Sequence, residues 1–386
     1  MAEKTHLETQ AIHAGEPRPA ISGAVVTPIF QSSTFFCDAE KGYHGNRYIR
    51  LNNTPNHDVL HAKLAALEGG EAALITSSGM SAITTAMLTV LRAGDHLLAQ
   101  NNLYGGTYDF VTHDLENFGI SYTFIDANKP GKWAAHLHKN TKAIYCETIT
   151  NPLMEVGDLP AIAKFAREHS VVSMIDSTFA SPVNFHPIRH GFDLVIHSGT
   201  KYLNGHNDIV AGAIVGKADA VERIRLKLNH LGGSLDPHAC FLFNRGLKTL
   251  AVRVRYQNES ALKIARFLEQ NRNVSKVLYP GLESHRDHRR ARELFSGFGG
   301  MLSFEVKGGG QAAQRMIERV TIPLAAWSLG GVESLITQPS LTTHAGLSAD
   351  RRREIGINDE LVRFSVGLEA TDDLIEDLDR ALRRAS

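Results

Sequence analysis

The chain has 386 residues, more than a typical single domain of roughly 100–200, so one large domain with a smaller one appended is expected. Lys plus Arg and Asp plus Glu balance at 41 each, so no net field draws in nucleic acid, a membrane surface or an acidic polymer, and any bound anion must be held locally. Cys37, Cys146 and Cys240 are too few and too scattered for a disulfide framework or a CxxC metal site, and neither a signal-peptide core nor a run of about 20 apolar residues occurs, so a cytoplasmic protein is expected.

Residues 1–56, with Pro17, Pro19 and Pro28 and no sustained periodicity, read as an extended arm. Regular structure is predicted from His57, where Leu60, Leu64 and Leu67 recur at helical spacing and Gly69-Gly70 supplies the stop. Short apolar runs then alternate with amphipathic stretches. Strands are predicted at 72–75, 96–99, 121–125, 142–146, 171–175, 194–196 and 210–215, with helices from Ser81, Tyr108 and Leu159. That alternation is the mark of βα units, so residues 57–245 are predicted to form an α/β domain on a mostly parallel sheet. After Arg245 longer helices (257–270, 288–295, 311–319) mix with strands near 274–279, 301–306 and 361–366. A closing helix over 372–384 stacks Leu374, Leu378 and Leu382, and residues 246–386 read as a smaller α+β domain.

Chemistry concentrates between Val171 and His206. One apolar run ends in Asp176 and a second leads into HSGTKYLNGH, which carries Lys201, so both side chains fall beyond the carboxyl ends of strands, where open α/β sheets bind ligands. A lysine there can form an imine and an aspartate can keep a pyridinium nitrogen protonated, the two roles pyridoxal 5′-phosphate requires. Ser198 and Thr200 flank the lysine with hydroxyls. ITSSGMSAI places Gly79 and Met80 at a strand-to-helix turn, whose free N–H groups suit a phosphate. A lone lysine and aspartate would more often be a surface group and a strand cap; the combination shifts the odds toward a cofactor site.

The sequence resembles the Cys/Met-metabolism (trans-sulfuration) family of fold-type I pyridoxal phosphate enzymes, nearly end to end from AVVTPIFQSSTF to RFSVGLE, with S-x-T-K-Y-x-x-G-H at Ser198–His206 as its most specific motif. The resemblance implies that Lys201 is the Schiff-base lysine and that Asp176, in the ID-x-TF segment with Thr178, meets the pyridine nitrogen. It implies a phosphate cradle of Gly79, Met80, Ser198 and Thr200, and a ring-stacking, proton-moving Tyr104 in NLYGGT. Tyr48 and Arg50 in RYIR match the family's Y-x-R, which reaches a neighbouring subunit's phosphate, so a homotetramer built as a dimer of dimers with shared sites is implied. On the substrate side Arg363 resembles the carboxylate-binding arginine, with Asn151, Ser328 and Trp327 as neighbours.

The family's members cleave or form C–S bonds of small sulfur amino acids. The expectation here is a cystathionine lyase, γ-elimination first and β-elimination close behind. Cystathionine γ-synthase or O-acylhomoserine sulfhydrylase chemistry is the alternative, and a non-enzymatic cofactor-binding regulator is a remote one. Gly106 stands where methionine γ-lyases typically have a Cys, which argues against that activity. Trp327 stands where many γ-specific members have a Glu and resembles some β-lyases. The spacing of His285, Asp287 and His288 fits no zinc pattern, and a metal is not expected.

Overall fold

The computed structural model describes residues 5–346 and 348–385. Its larger sheet contains β1 (Ala72–Thr76), β2 (His96–Gln100), β3 (Ser121–Ile125), β4 (Thr141–Glu147), β5 (Val172–Asp176), β6 (Leu194–Ser198) and β7 (Gly212–Gly216). Their spatial order is β1-β7-β6-β5-β4-β2-β3. β2 to β6 are parallel, and β7 runs antiparallel to both β1 and β6. The predicted mostly parallel α/β sheet is therefore present, with β7 starting two residues later than the apolar run indicated.

Period-2 alternation divides the sheet between two cores. Leu98, Ile144, Ile175, Val195 and Val215 face one layer, which includes helices Pro55–Glu68 and Leu159–Glu168. Leu97, Ala143, Tyr145, Met174 and Ile196 face the other, formed by helices Gly79–Val90 and Ala218–Leu231. With helices on both faces the central strands must be apolar throughout, and β2 and β7 are buried at every residue. One consequence positions the site: Glu147, Asp176 and Ser198 are the last residues of β4, β5 and β6, all at the same carboxyl edge.

The smaller sheet comprises β8 (Val274–Leu278), β9 (Met301–Val306), β10 (Leu324–Ala325), β11 (Leu335–Thr337) and β12 (Leu361–Ser365), in order β10-β11-β12-β9-β8. On β12, Val362 and Phe364 join the core under helices Gly309–Ile317 and Thr371–Arg383. Alternation thus turns Arg363 to the opposite face, toward the large sheet's carboxyl edge.

Helix Leu250–Gln270 belongs to both halves: Leu250 and Val254 pack in the large core, Ala261, Ile264, Ala265 and Leu268 in the small one. It starts seven residues before the predicted Gln257, because its first turns continue the large core. Residue 245 falls inside helix Pro237–Leu247, and neither this helix nor helix Ala218–Leu231 is among the predicted elements. The arm is mostly irregular but holds a short helix, Leu7–His13, fastened by Lys63, whose Nζ donates to Ala11 O at 2.8 Å and Ile12 O at 3.0 Å. Residues 1–4 of the arm lie outside the described residues. Among the described residues no helix is long and apolar enough to cross a membrane, and no group of His, Cys, Asp and Glu could hold a metal.

Candidate active site

A cavity of about 480 Å³ opens where the large sheet's carboxyl edge meets β12. Of the residues singled out in the sequence, Lys201, Tyr104, Asp176, Thr178, Gly79, Met80, Ser198 and Thr200 line it from the large domain, and Asn151, Trp327, Ser328 and Arg363 complete the wall. Tyr48 and Arg50 do not. The Arg50 guanidinium lies 5.5 Å from the Tyr48 ring centroid and donates to Asn229 O at 3.0 Å, away from the chain's own cavity.

The cavity floor is built by strand ends. Asp176 is buried, accepts a hydrogen bond from Thr178 N at 2.8 Å and has no cationic side chain paired with it among the described residues. Burial raises its pKa, partly offset by the Thr178 bonds. Glu147 lies directly beside it in the β4–β5 register and is pushed up further, first by burial and then by the Asp176 charge. The Thr178 hydroxyl accepts from Ser198 N at 2.8 Å, tying β5's end to β6's.

Ser78 caps helix Gly79–Val90 by accepting from Ser81 N, which leaves the N–H groups of Gly79 and Met80 for a ligand. Gly79 is required by close approach: a Cβ there would come within 2.9 Å of Ser198 Cβ. Thr200 lines the cavity while its hydroxyl exchanges hydrogen bonds with Ala211, donating to the carbonyl at 3.2 Å and accepting from the amide at 3.0 Å.

Lys201 projects its amine into the cavity and donates to Ser328 Oγ at 3.0 Å. Burial, reinforced by the Arg363 charge, lowers its pKa to about 8. Arg363 is 3% exposed; Nη1 donates to Asn151 Oδ1 and Nη2 to Ser328 O, both at 3.2 Å, and no carboxylate pairs with it among the described residues. Tyr104 sits at the rim, its amide donating to Glu147 Oε1 at 2.5 Å, and burial followed by the Asp176 and Glu147 charges raises its hydroxyl pKa. Trp327, 73% exposed, stands at the mouth.

These residues fit pyridoxal phosphate. A buried anion without a counter-charge suits a protonated ring nitrogen, a helix N-terminus suits a phosphate, and an amine near neutral suits imine formation. A sequence profile of the family described as Cys/Met metabolism PLP-dependent enzymes matches residues 8–383. The chain belongs to that family. Enzymes of the Cys/Met metabolism family depend on pyridoxal phosphate, which is accordingly this chain's cofactor. The chain is 40% identical to an L-methionine γ-lyase of Fusobacterium nucleatum subsp. polymorphum, over 99% of both chains. It is likewise 40% identical to a cystathionine β-lyase of Lactococcus lactis subsp. cremoris, over 98% of this chain and 100% of that one. The crystal structure of cystathionine γ-lyase from Lactobacillus plantarum complexed with L-serine superposes with a TM-score of 0.93 at 39% identity, covering 98% of this chain and 99% of that one.

Among the lining residues that the sequence reading does not single out, Glu147 and Thr343 carry polar groups of interest. Glu147 directly follows the predicted strand 142–146, so the rule that found Asp176, a carboxylate closing an apolar run, would have found it too. Thr343 reaches the cavity from the loop after β11, and nothing in its surroundings marks it. The Gly106 departure has a physical counterpart: a Cβ there would lie 2.7 Å from Tyr104 Cε1 and 3.0 Å from Met80 Sδ, so a larger residue would have to move the tyrosine ring.

Proposed function

We propose that this pyridoxal phosphate-dependent lyase cleaves the C–S bond of cystathionine or a related thioether amino acid, with γ-elimination as the first reading and β-elimination next. Arg363 carries the reading. A buried guanidinium with only Asn151 Oδ1 and Ser328 O as hydrogen-bond partners among the described residues, in the same cavity as the Lys201 amine, calls for a bidentate carboxylate such as an α-amino acid supplies.

Bound pyridoxal phosphate supplies an electron sink for charge developing at the substrate Cα. Asp176, with Thr178 beside it, would hold the ring nitrogen, and Gly79, Met80, Ser198 and Thr200 would surround the phosphate. Lys201 Nζ, with a pKa near 8, takes the Cα proton and, for a γ-leaving group, also one from Cβ. Tyr104, kept protonated by burial and the neighbouring carboxylates, donates to the departing sulfur. Cystathionine plus water then gives cysteine, 2-oxobutyrate and ammonia by γ-cleavage, or homocysteine, pyruvate and ammonia by β-cleavage. Trp327 offers an aromatic surface to the distal end of the substrate. Relatives named for methionine as well as cystathionine make methionine a necessary comparison substrate.

Purified enzyme incubated separately with cystathionine, with methionine, and with O-succinylhomoserine plus cysteine tests the assignment. 2-Oxobutyrate from cystathionine is the expected product. Pyruvate moves the assignment to β-cleavage. Cystathionine formation without keto acid sinks the lyase reading in favour of γ-replacement.

Tyr48 and Arg50 support a shared site, since they lie outside their own chain's cavity, on an arm that also leaves Val25 and Phe36 exposed. In a homotetramer built as a dimer of dimers they would serve a neighbour's phosphate. Mixing Arg50→Ala and Lys201→Ala variants should then restore activity above that of either alone.

A further inference from the structure

We propose that Arg253 and Gln257, one turn apart on helix Leu250–Gln270, are positioning residues that hold the lysine turn and the substrate-arginine strand in register across the cavity. The proposal rests on the roles of Lys201 and Arg363 given above.

Arg253 is a charge that the reaction does not use. It is 3% exposed and no carboxylate pairs with it among the described residues. Its Nη1 donates to Tyr202 O at 2.9 Å, and its Nη2 donates to Gly246 O at 2.9 Å and Leu203 O at 3.4 Å. Its Nε donates to Thr249 Oγ1 at 3.1 Å. A buried cation answered only by carbonyls and one hydroxyl is costly, and an apolar side chain of similar volume would often be as stable. What the guanidinium achieves is geometric: its planar fork grips the carbonyls of the two residues that follow Lys201. Gly205, at φ +73°, completes the grip, because any Cβ there would overlap the guanidinium.

Gln257 does the corresponding work on the substrate side. It is fully buried, and its Nε2 donates to Gly331 O at 2.8 Å and Val366 O at 3.1 Å. Gly331 lies just beyond Ser328 and Val366 just beyond Arg363. The two gripped segments also touch: a Cβ on Gly330 would meet Tyr202 N at 2.7 Å. The Lys201 Nζ bond to Ser328 Oγ closes the circuit, which runs from the helix through Arg253, the lysine turn, Ser328 and Gly331 back to Gln257. Two anchors four residues apart on one rigid helix face therefore set how far the lysine amine stands from the Arg363 fork.

Steady-state kinetics of Arg253→Lys, Gln257→Leu and Thr249→Val, with thermal midpoints measured alongside, test this. Arg253→Lys keeps the charge and loses the fork, and is expected to lower kcat about tenfold with KM little changed. Gln257→Leu is expected to raise KM about tenfold with kcat little changed, each the scale of one or two lost hydrogen bonds. Because Gln257 acts through Arg363, combining Gln257→Leu with Arg363→Lys should cost less than the product of the separate losses. Equal movement of kcat and KM in both variants, or strictly multiplicative losses, overturns the proposal. Thr249 is exposed, so Thr249→Val decides the matter if a buried variant does not fold: a fall in kcat of about twofold at constant KM supports the proposal, and unchanged kcat overturns it. Lys201→Ala and Arg363→Lys run in parallel separate this from the parent reading. Retained covalent cofactor in the first, or an unchanged KM in the second, refutes the site assignment itself; normal behaviour of both without the split refutes only the positioning role.

Discussion

The floor and the mouth of the cavity are built from different material. The floor consists of strand ends, with Glu147 and Asp176 in register on adjacent parallel strands and the helix N-terminus at Gly79 pressed against Ser198. The mouth consists of loop residues with much of their surface in solvent: Trp327 is 73% exposed, Val210 59% and Tyr104 43%. A floor of this kind fixes the cofactor, because its polar groups are positioned by strand ends and a helix start and a small displacement leaves a buried charge unmatched. A mouth of this kind sets which substrate is accepted, and it can change without disturbing the floor. Relatives about 40% identical that bear different substrate names are what such a division would produce.

The largest expected effect is at the floor. Asp176→Asn removes the one carboxylate assigned to the cofactor ring and should weaken pyridoxal phosphate binding by about 100-fold or more, the scale of a broken buried charge pair, as read by titrating cofactor-free protein. Near-normal affinity would mean that Glu147 can replace Asp176, and the floor would be less strictly specified than its geometry implies.

Between floor and mouth, Arg363→Lys should raise KM by about 10- to 100-fold, since a point charge cannot reproduce the bidentate fork. The pH dependence of Lys201 sharpens the same point. Its amine, lowered to about 8 by burial and then by Arg363, is protonated below that pH and free above it. Acylation of Lys201 in cofactor-free protein should therefore rise as pH passes through about 8. Arg363→Met, which removes the neighbouring cation, should move the midpoint upward; a midpoint that stays in place would assign the whole depression to burial.

The smallest effect belongs to the mouth. Trp327→Ala should leave cofactor affinity unchanged and alter the ratio of kcat/KM for cystathionine and methionine by about tenfold at most, the discrimination one pocket contact provides. A loss of cofactor in this variant would erase the distinction between floor and mouth.

The floor was also the more legible part in the sequence, and for the same reason. Strands buried on both faces read as short apolar runs, and a polar residue that closes such a run must lie at the sheet edge, which is how Asp176 stood out and how Glu147 could have. Lys201 was found through its motif. Loop residues carry no such grammar: Thr343 enters the cavity because of how the chain folds back after β11, and no periodicity announces it. The helices Ala218–Leu231 and Pro237–Leu247 were passed over although Val221, Ile224 and Leu228 sit at helical spacing and Asp236-Pro237 is an N-terminal signal, with Asp236 accepting from His238 N. The early start of helix Leu250–Gln270 has no side-chain cap to announce it, and its first turns are held by packing on the large core.

Trp327 has a practical consequence. The chain contains only one other tryptophan, Trp133, which is sealed in the large core at 1% exposure with its indole N–H donating to Asp126 O. Quenching by a water-borne ion such as iodide can reach just one of the two indoles. The quenchable fraction of the emission is thus a built-in optical gauge of whether the entrance is open or covered, readable on unlabelled protein during turnover.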